Sequence, residues 1–294
     1  MTEGRIAFGG GQTWYEVVGD GEEPGKLALL CLHGGPGAPH DYLEPLGALA
    51  DTGRRVVFYD QIGCGKSWLE ADPSKWTVEL FVEEVGAVRD ALGLDRLHLF
   101  GSSWGGMLAM EYALTRPPGL ASLVLSSSPA SIPVWAEEAN RLRGGLPADV
   151  QGALDEYEAA GTLDAPEYEE ATMEFYRRHV CRVDPWPDCV RRTFSGLAEH
   201  PDVYLTMQGP NEFVITGTLK DWDITDRLGE ITVPTLITAG RHDEFTPRQA
   251  EALHRGIPRS ELVTFEDSSH MQFVEEQERY HEVVAGFLGR VERG

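Results

Sequence analysis

Ser103 lies at the centre of a Gly-x-Ser-x-Gly sequence that it forms with Gly101 and Gly105. A serine hydroxyl is a weak nucleophile until a base takes its proton, and the base needs an acid that orients it. Asp243 and His270 follow two later apolar runs. Their order after the serine predicts a nucleophilic Ser103, with His270 as the base and Asp243 as the orienting acid.

Other titratable residues lie beside this predicted pair. Glu244 and Asp267 are competing acids, but Asp267 precedes His270 by three residues and is expected to shape its loop. His242 stands beside Asp243, on the wrong strand end to act as the base. We therefore keep Asp243 and His270 as the predicted pair.

A developing oxyanion needs N–H donors that are already in place. The backbone N–H of Trp104, directly after the nucleophile, is one predicted donor. The second is expected from the His-Gly-Gly-Pro-Gly loop at 33–37, from Gly35 or Gly34, since glycines let the backbone approach a substrate carbonyl. The loop histidine is expected to brace the loop.

Buried strands alternating with helices must position these residues. The Ser103 motif stands between an apolar run and a run of good helix formers, so Ser103 is predicted on a sharp strand-to-helix turn. The alternation predicts an α/β fold with a mostly parallel sheet covered on both faces. A β-hairpin is predicted over 5–18, further strands over 27–32, 55–59, 97–100, 120–125, 233–240 and 261–265, and helices over 41–50, 78–92 and 275–288.

The pattern changes between the fourth and fifth of these later strands. Residues 133–207 contain helix-like segments and no clear buried strand, with an N-cap predicted at Asp164. Thr246 followed by a proline predicts the start of a later helix. We predict a helical cap domain at 131–222 inserted into a core domain of 1–130 and 223–294.

The composition indicates a folded, acidic protein. The 294 residues are 41% hydrophobic and 25% charged, and the formal net charge is −23. This charge disfavours nucleic acid and anionic membranes as partners. No apolar run approaches the roughly 20 residues that cross a bilayer. The first thirty residues lack the pattern of a secretion signal, which favours a cytoplasmic location.

The four cysteines include no Cys-x-x-Cys pair. A zinc or redox site is therefore not expected, and a reducing compartment fits best. The predicted serine chemistry needs no metal and no organic cofactor.

Four motifs together resemble the proline iminopeptidase family of α/β-hydrolases. The similarity covers nearly the whole chain, and the Asp-Gln-x-Gly-Cys-Gly form is most similar to the tricorn-interacting aminopeptidase branch. The motifs lie at 33–37, 60–67, 101–106 and 240–243. The resemblance implies the α/β-hydrolase fold with an inserted helical cap. It also implies a serine aminopeptidase that releases an N-terminal residue, preferentially proline, from short peptides through an acyl-enzyme.

The resemblance further implies that two acids hold the free amine of the substrate. Glu212, in the segment 209–213 near the end of the cap, matches the cap motif, and Glu244 matches the second position. A buried ammonium is costly unless it is paired, so two carboxylates would select a charged N-terminus. The candidate walls of a proline-sized apolar pocket are Phe213, Trp135 and Tyr204.

Three other functions are compatible with parts of the pattern. An amino-acid amidase or an esterase would keep the chemistry without a strict proline preference. A ligand-binding module on a hydrolase scaffold would not need the complete Ser, Asp and His set. A dehalogenase or epoxide hydrolase would use a carboxylate nucleophile. The expected partners are short peptides or amino-acid amides with a free N-terminus, bound by a monomer or small homo-oligomer.

Overall fold

The computed structural model describes residues 1–294 and contains one eight-stranded sheet with the order β1-β2-β4-β3-β5-β6-β7-β8. The first two strands form an antiparallel hairpin whose second strand pairs antiparallel with β4. All pairs from β4 across to β8 are parallel. The strands are β1 (Thr2–Phe8), β2 (Gly11–Val18), β3 (Ala28–Leu32), β4 (Val56–Tyr59), β5 (Leu97–Ser102), β6 (Leu120–Ser126), β7 (Thr235–Gly240) and β8 (Ser260–Phe265).

Every residue of β3, β4 and β5 is buried, which shows that both faces of the sheet are covered. The predicted α/β class, with its mostly parallel sheet, is confirmed. The α-helices are α1 (Val78–Ala91), α2 (Trp104–Leu114), α3 (Ile132–Arg143), α4 (Ala148–Ala160), α5 (Pro166–His179), α6 (Asp188–Glu199), α7 (Asp202–Met207), α8 (Pro247–Gly256), α9 (Gln272–Glu275) and α10 (Gln277–Arg293). Shorter-pitch 3-10 helices span His40–Thr52, Gly65–Ser67, Pro73–Lys75 and Thr225–Glu230.

Five helices, α3 to α7, lie between β6 and β7, and no strand interrupts them. The two ends of this segment meet at an isolated antiparallel bridge between Ser131 and Asp223. The Ser131 hydroxyl donates to the Asp223 carboxylate at 2.7 Å and also caps α3 by accepting from a backbone N–H. The helical segment therefore leaves the sheet and returns to it at one place.

The N-cap predicted at Asp164 is wrong, whereas the helix start predicted at Thr246 is confirmed, although its hydroxyl does not cap the helix. Asp164 does not cap α5, because Ala165 occupies the N-cap and no side chain accepts there. Thr246 occupies the N-cap of α8, but its hydroxyl donates to the Glu138 carboxylate of α3 at 2.8 Å instead of capping the helix. A tertiary contact has replaced the local one in the second case.

The apolar core is continuous from the sheet into the five inserted helices. No helix is long and apolar enough to cross a membrane.

Candidate active site

Ser103 occupies the turn between β5 and α2 with φ 55° and ψ −123°. A positive φ is uncommon for a residue with a side chain and marks local strain. The backbone around it is tightly packed, since a Cβ atom on Gly105 would lie 2.1 Å from the Leu32 carbonyl oxygen. The Ser103 N–H donates to the Ser126 carbonyl at 2.9 Å, which ties the turn to β6. The side chain faces a cavity above the sheet.

Two backbone N–H groups near Ser103 are free to bind an anion. Trp104 is the first residue of α2, so its N–H precedes the hydrogen-bond ladder of the helix. Gly35 has φ 106° and its N–H has no partner in the protein. Gly34 does not share this property, because its N–H donates to the Tyr42 hydroxyl at 2.7 Å. Of the two predicted loop glycines, only Gly35 has a free donor.

The His270 ring and the Asp243 carboxylate are joined by a hydrogen bond of 2.8 Å at Nδ1. Asp243 also accepts from the Phe245 N–H at 2.8 Å, the Ser127 hydroxyl at 2.6 Å and the Gln272 amide at 3.2 Å. Burial disfavours protonation of His270, but the charge and hydrogen bond of Asp243 outweigh it and raise the His270 pKa above its usual value. The ring is thereby held in one orientation and its cation is favoured.

Glu212 and Glu244 lie next to this pair. Glu244 is buried, with Oε1 at 3.7 Å from His270 Nδ1 and with Oε2 lacking any hydrogen-bond partner. Glu212 is partly open to the cavity and accepts from the Tyr204 hydroxyl at 2.7 Å. Burial raises the pKa of both carboxyls, and the neighbouring charges of Glu212 and Asp243 raise that of Glu244 further. Burial therefore favours the uncharged forms of these two neighbouring acids.

Ser103 lines two cavities. The larger has a volume of about 520 Å³ and is lined by Ser103, His270, both glutamates and residues of α5, α6 and α7. The smaller has about 10 Å³ of free space. It is lined in part by Ser103, Gly35 and Glu212, which also line the larger cavity. Its other walls are Trp104, Met107, Pro129, Ile132, Trp135, Gln208 and Leu219.

The three predicted wall residues have different positions. Tyr204 lines the larger cavity, where its hydroxyl is bonded to Glu212. Trp135 lines the smaller pocket, with its ring edge-on to His270 at a centroid distance of 5.9 Å. Phe213 lines neither cavity, because its ring packs against Phe175 at 5.2 Å. The prediction for Phe213 is wrong, since its side chain lies in the apolar core.

No group of three or more histidine, cysteine, aspartate or glutamate side chains is arranged to hold a metal ion. All four cysteines are free thiols.

Comparison with known proteins shows to which proteins the chain is similar. The α/β hydrolase fold family matches residues 28–277. The proline iminopeptidase of Thermoplasma volcanium is 42% identical over 97% of this chain and 96% of its own length. The crystal structure of the Mycobacterium smegmatis proline iminopeptidase superimposes with a TM-score of 0.92 at 45% identity, covering 99% of both chains. The crystal structure of VinJ gives a TM-score of 0.95, also at 45% identity and 99% coverage of both chains.

The chain belongs to the proline iminopeptidase family of α/β hydrolases. In this family member, a buried hydrogen-bond network connects the two segments that carry the free N–H groups. The Gln61 side chain donates to the His33 carbonyl at 2.9 Å and accepts from the Trp104 indole N–H at 2.8 Å. The Gln61 backbone N–H donates to His33 Nε2 at 2.8 Å. Gln61 thus joins the 33–37 loop to the first residue of α2.

The same network fixes protonation states in this proline iminopeptidase family member. Burial lowers the pKa of His33 to about 4, so the ring is neutral and Nε2 stays an acceptor. The Glu84 Oε1 atom accepts from the Ile62 N–H at 2.9 Å and from the Thr13 hydroxyl. Burial raises the Glu84 pKa to about 8.

Sequence reasoning did not find Gln61, Ser127 or Gln272 as parts of the site. Gln61 lies in one of the four family motifs, but the contacts of its side chain could not be deduced from the motif. Ser127 and Gln272 stand next to predicted elements, and only the folded structure brings their polar atoms to Asp243.

Proposed function

We propose that the chain is a serine aminopeptidase that releases an N-terminal residue, preferentially proline, from short peptides or amino-acid amides. The observation that carries this proposal is the acidic pair beside Ser103. Glu244 Oε2 is buried without a partner, and Glu212 opens into the same cavity. A substrate ammonium would pair with both, whereas a blocked or uncharged N-terminus would leave Glu244 Oε2 without a partner.

The proposed reaction uses Ser103, His270 and Asp243 as a catalytic triad. The Ser103 Oγ attacks the first carbonyl carbon, and its proton passes to His270 Nε2. The carbon–nitrogen bond breaks as His270 returns that proton to the leaving nitrogen. Water then attacks the acyl-enzyme, gives its proton to His270, and the free amino acid leaves as Ser103 regains the proton.

His270 Nε2 has no protein partner in the ligand-free site, and such catalytic contacts tighten when substrate binds. The oxyanion would accept from the N–H groups of Trp104 and Gly35. Both N–H donors are already in position before the reaction starts. They can therefore stabilise the developing negative charge without a cost for rearranging the site. Gly34 supports this site indirectly through its bond to Tyr42.

The narrow pocket beside Trp104 is the proposed site of the N-terminal side chain. It is nearly full, and its walls include Met107, Ile132, Trp135 and Leu219, so a compact ring such as that of proline enters only as Met107 and Trp135 shift, and larger side chains are excluded. A proline preference agrees with the relatives named above. Residues 131–222 are proposed as the cap domain over the core of 1–130 and 223–294. We also propose a cytoplasmic location and a monomer or small homo-oligomer.

The alternative function is an amino-acid amidase or esterase of the same fold without a strict proline preference. Hydrolysis of a prolyl arylamide, its N-acetylated form and a simple acyl ester separates the two. We expect fast cleavage of the free prolyl compound alone. Equal or faster cleavage of the blocked compound or the ester would overturn the amine requirement. The Ser103→Ala variant, expected to lose about 10⁴–10⁶ in kcat, identifies background contamination.

A further inference from the structure

The larger cavity contains a buried polar atom that the proposed reaction does not use. Two residues that line this cavity each carry a buried side-chain oxygen without a hydrogen-bond partner, Oε2 of Glu244 and Oγ1 of Thr172. The first belongs to the proposed amine site. Thr172 lies in the middle of α5 and is 8% exposed. Buried hydroxyls are normally bonded, so an unpaired one on a residue that lines a cavity points to a ligand contact there.

The position of His270 decides which part of a substrate this cavity receives. His270 returns its proton to the leaving nitrogen, so the leaving group must lie on the side of Ser103 where His270 lies. His270 and Met271 line the larger cavity and not the narrow pocket. The side chain of the acyl part therefore lies toward Trp104, its ammonium lies at Glu212 and Glu244, and the leaving amine lies under α5, α6 and α7.

Two other hydroxyls around the leaving-group side are already paired. The Tyr168 hydroxyl accepts from the Asn211 amide at 2.7 Å. The Thr193 hydroxyl accepts from the Tyr42 N–H at 2.9 Å. The rest of this side is largely apolar and includes Leu163, Met173, Val180, Phe194 and Leu197. A leaving group that fits this surface has an apolar body and one hydrogen-bonding group.

We propose that Thr172 is a specificity-determining residue of a leaving-group subsite formed by the cap helices. Its hydroxyl bonds the first peptide group beyond the scissile bond, and the apolar walls take the side chain of that residue. The substrate class is thus a free-amine prolyl amide whose amine part carries both an apolar side chain and a carboxamide or peptide group. This inference rests on the proposed aminopeptidase function.

The test compares two substrates that differ by one group, prolyl-leucinamide and prolyl-3-methylbutylamide. The second lacks the carboxamide and keeps the apolar body. We expect the wild-type protein to prefer prolyl-leucinamide by roughly tenfold in kcat/KM, because the analogue leaves a buried hydroxyl unpaired. Thr172→Val should lower kcat/KM roughly tenfold for prolyl-leucinamide and change it less than about twofold for the analogue. Thr172→Ser should restore the preference.

Thr193→Val is the matched control, since it removes a hydroxyl from the same cavity that already has protein partners. It should affect both substrates alike. Equal losses on both substrates in Thr172→Val, or no loss on either, would overturn the subsite while proline release still supports the aminopeptidase. Failure of the wild-type protein to cleave either amide, with hydrolysis of an acyl ester retained, would overturn both proposals.

Discussion

Replacing Gln61 by leucine removes the one side chain that joins the two segments with free N–H donors. The variant loses the bond from the Gln61 amide to the His33 carbonyl and the bond from the Trp104 indole to Gln61, of 2.9 and 2.8 Å. Each buried group left unpaired costs about 1–3 kcal/mol of stability. A shift of about 1 Å in a catalytic donor costs about 10² in rate. We therefore expect kcat to fall about 10- to 100-fold.

The assay is steady-state cleavage of a prolyl arylamide, with thermal unfolding measured on the same preparations. KM should stay within about threefold, because Glu212 and Glu244 are not bonded to Gln61 and still hold the amine. Trp104→Phe removes the same indole bond but keeps the backbone N–H of residue 104. If the two residues act through this bond, the double variant should lose about as much kcat as the more damaging single variant. The combined loss should then be smaller than the product of the two single losses.

Two results would refute this reasoning for Gln61. One is a variant that unfolds at lower temperature but keeps the wild-type kcat, which would make Gln61 structural only. The other is full additivity of the Gln61→Leu and Trp104→Phe losses in kcat, which would mean that the residues act independently. Gln61→Glu keeps an acceptor for the indole and loses the donor to His33, so it shows which of the two bonds matters more.

Three further changes have expected outcomes. Glu212→Gln removes a charge that helps raise the His270 pKa, so the acid limb of a pH–rate profile measured with an ester should move to lower pH; an unmoved limb would contradict this coupling. Met107→Ala should widen the narrow pocket and raise kcat/KM for leucyl relative to prolyl arylamide by about tenfold in competition assays, whereas an unchanged ratio would place the N-terminal side chain elsewhere. Folding raises the pKa of Glu84 from its ordinary value of 4.5 to about 8. Because the folded protein holds this proton at pH values where the unfolded chain has lost it, the free energy of unfolding should fall as pH rises through that range. Glu84→Gln should flatten this dependence in denaturant titrations at several pH values, and an equally steep slope would assign the loss to another group.

Much of the fold could be predicted because the central strands are continuous apolar runs buried on both faces. The hairpin, the strand before Ser103 and the strands before Asp243 and His270 all lie where the pattern places them. The last helix is less well predicted, since the expected 275–288 is observed as α9 and a longer α10 that ends at Arg293. Helix ends depend on tertiary contacts, as the Thr246 hydroxyl shows by bonding Glu138.

The positions of the polar side chains were predictable only where parallel strands end. The carboxyl ends of β7 and β8 bring Asp243 and His270 together, and strand order alone predicts that. The contacts of Ser127 and Gln272 with Asp243 join residues 116 and 29 positions apart. Phe213 could not be placed, because apolarity does not tell whether a ring faces a pocket or the core.

The central claim is that two carboxylates select a charged N-terminus before Ser103 attacks. The most direct test is the kcat/KM ratio of free to N-acetylated prolyl arylamide in the wild-type protein and in Glu244→Gln. Removing one partner of a buried charge pair costs about 2–5 kcal/mol, so we expect a wild-type ratio of at least roughly 10² and a fall of about 30-fold or more in the variant, mainly through KM. A wild-type ratio near one, or a ratio that Glu244→Gln leaves unchanged, would contradict the claim.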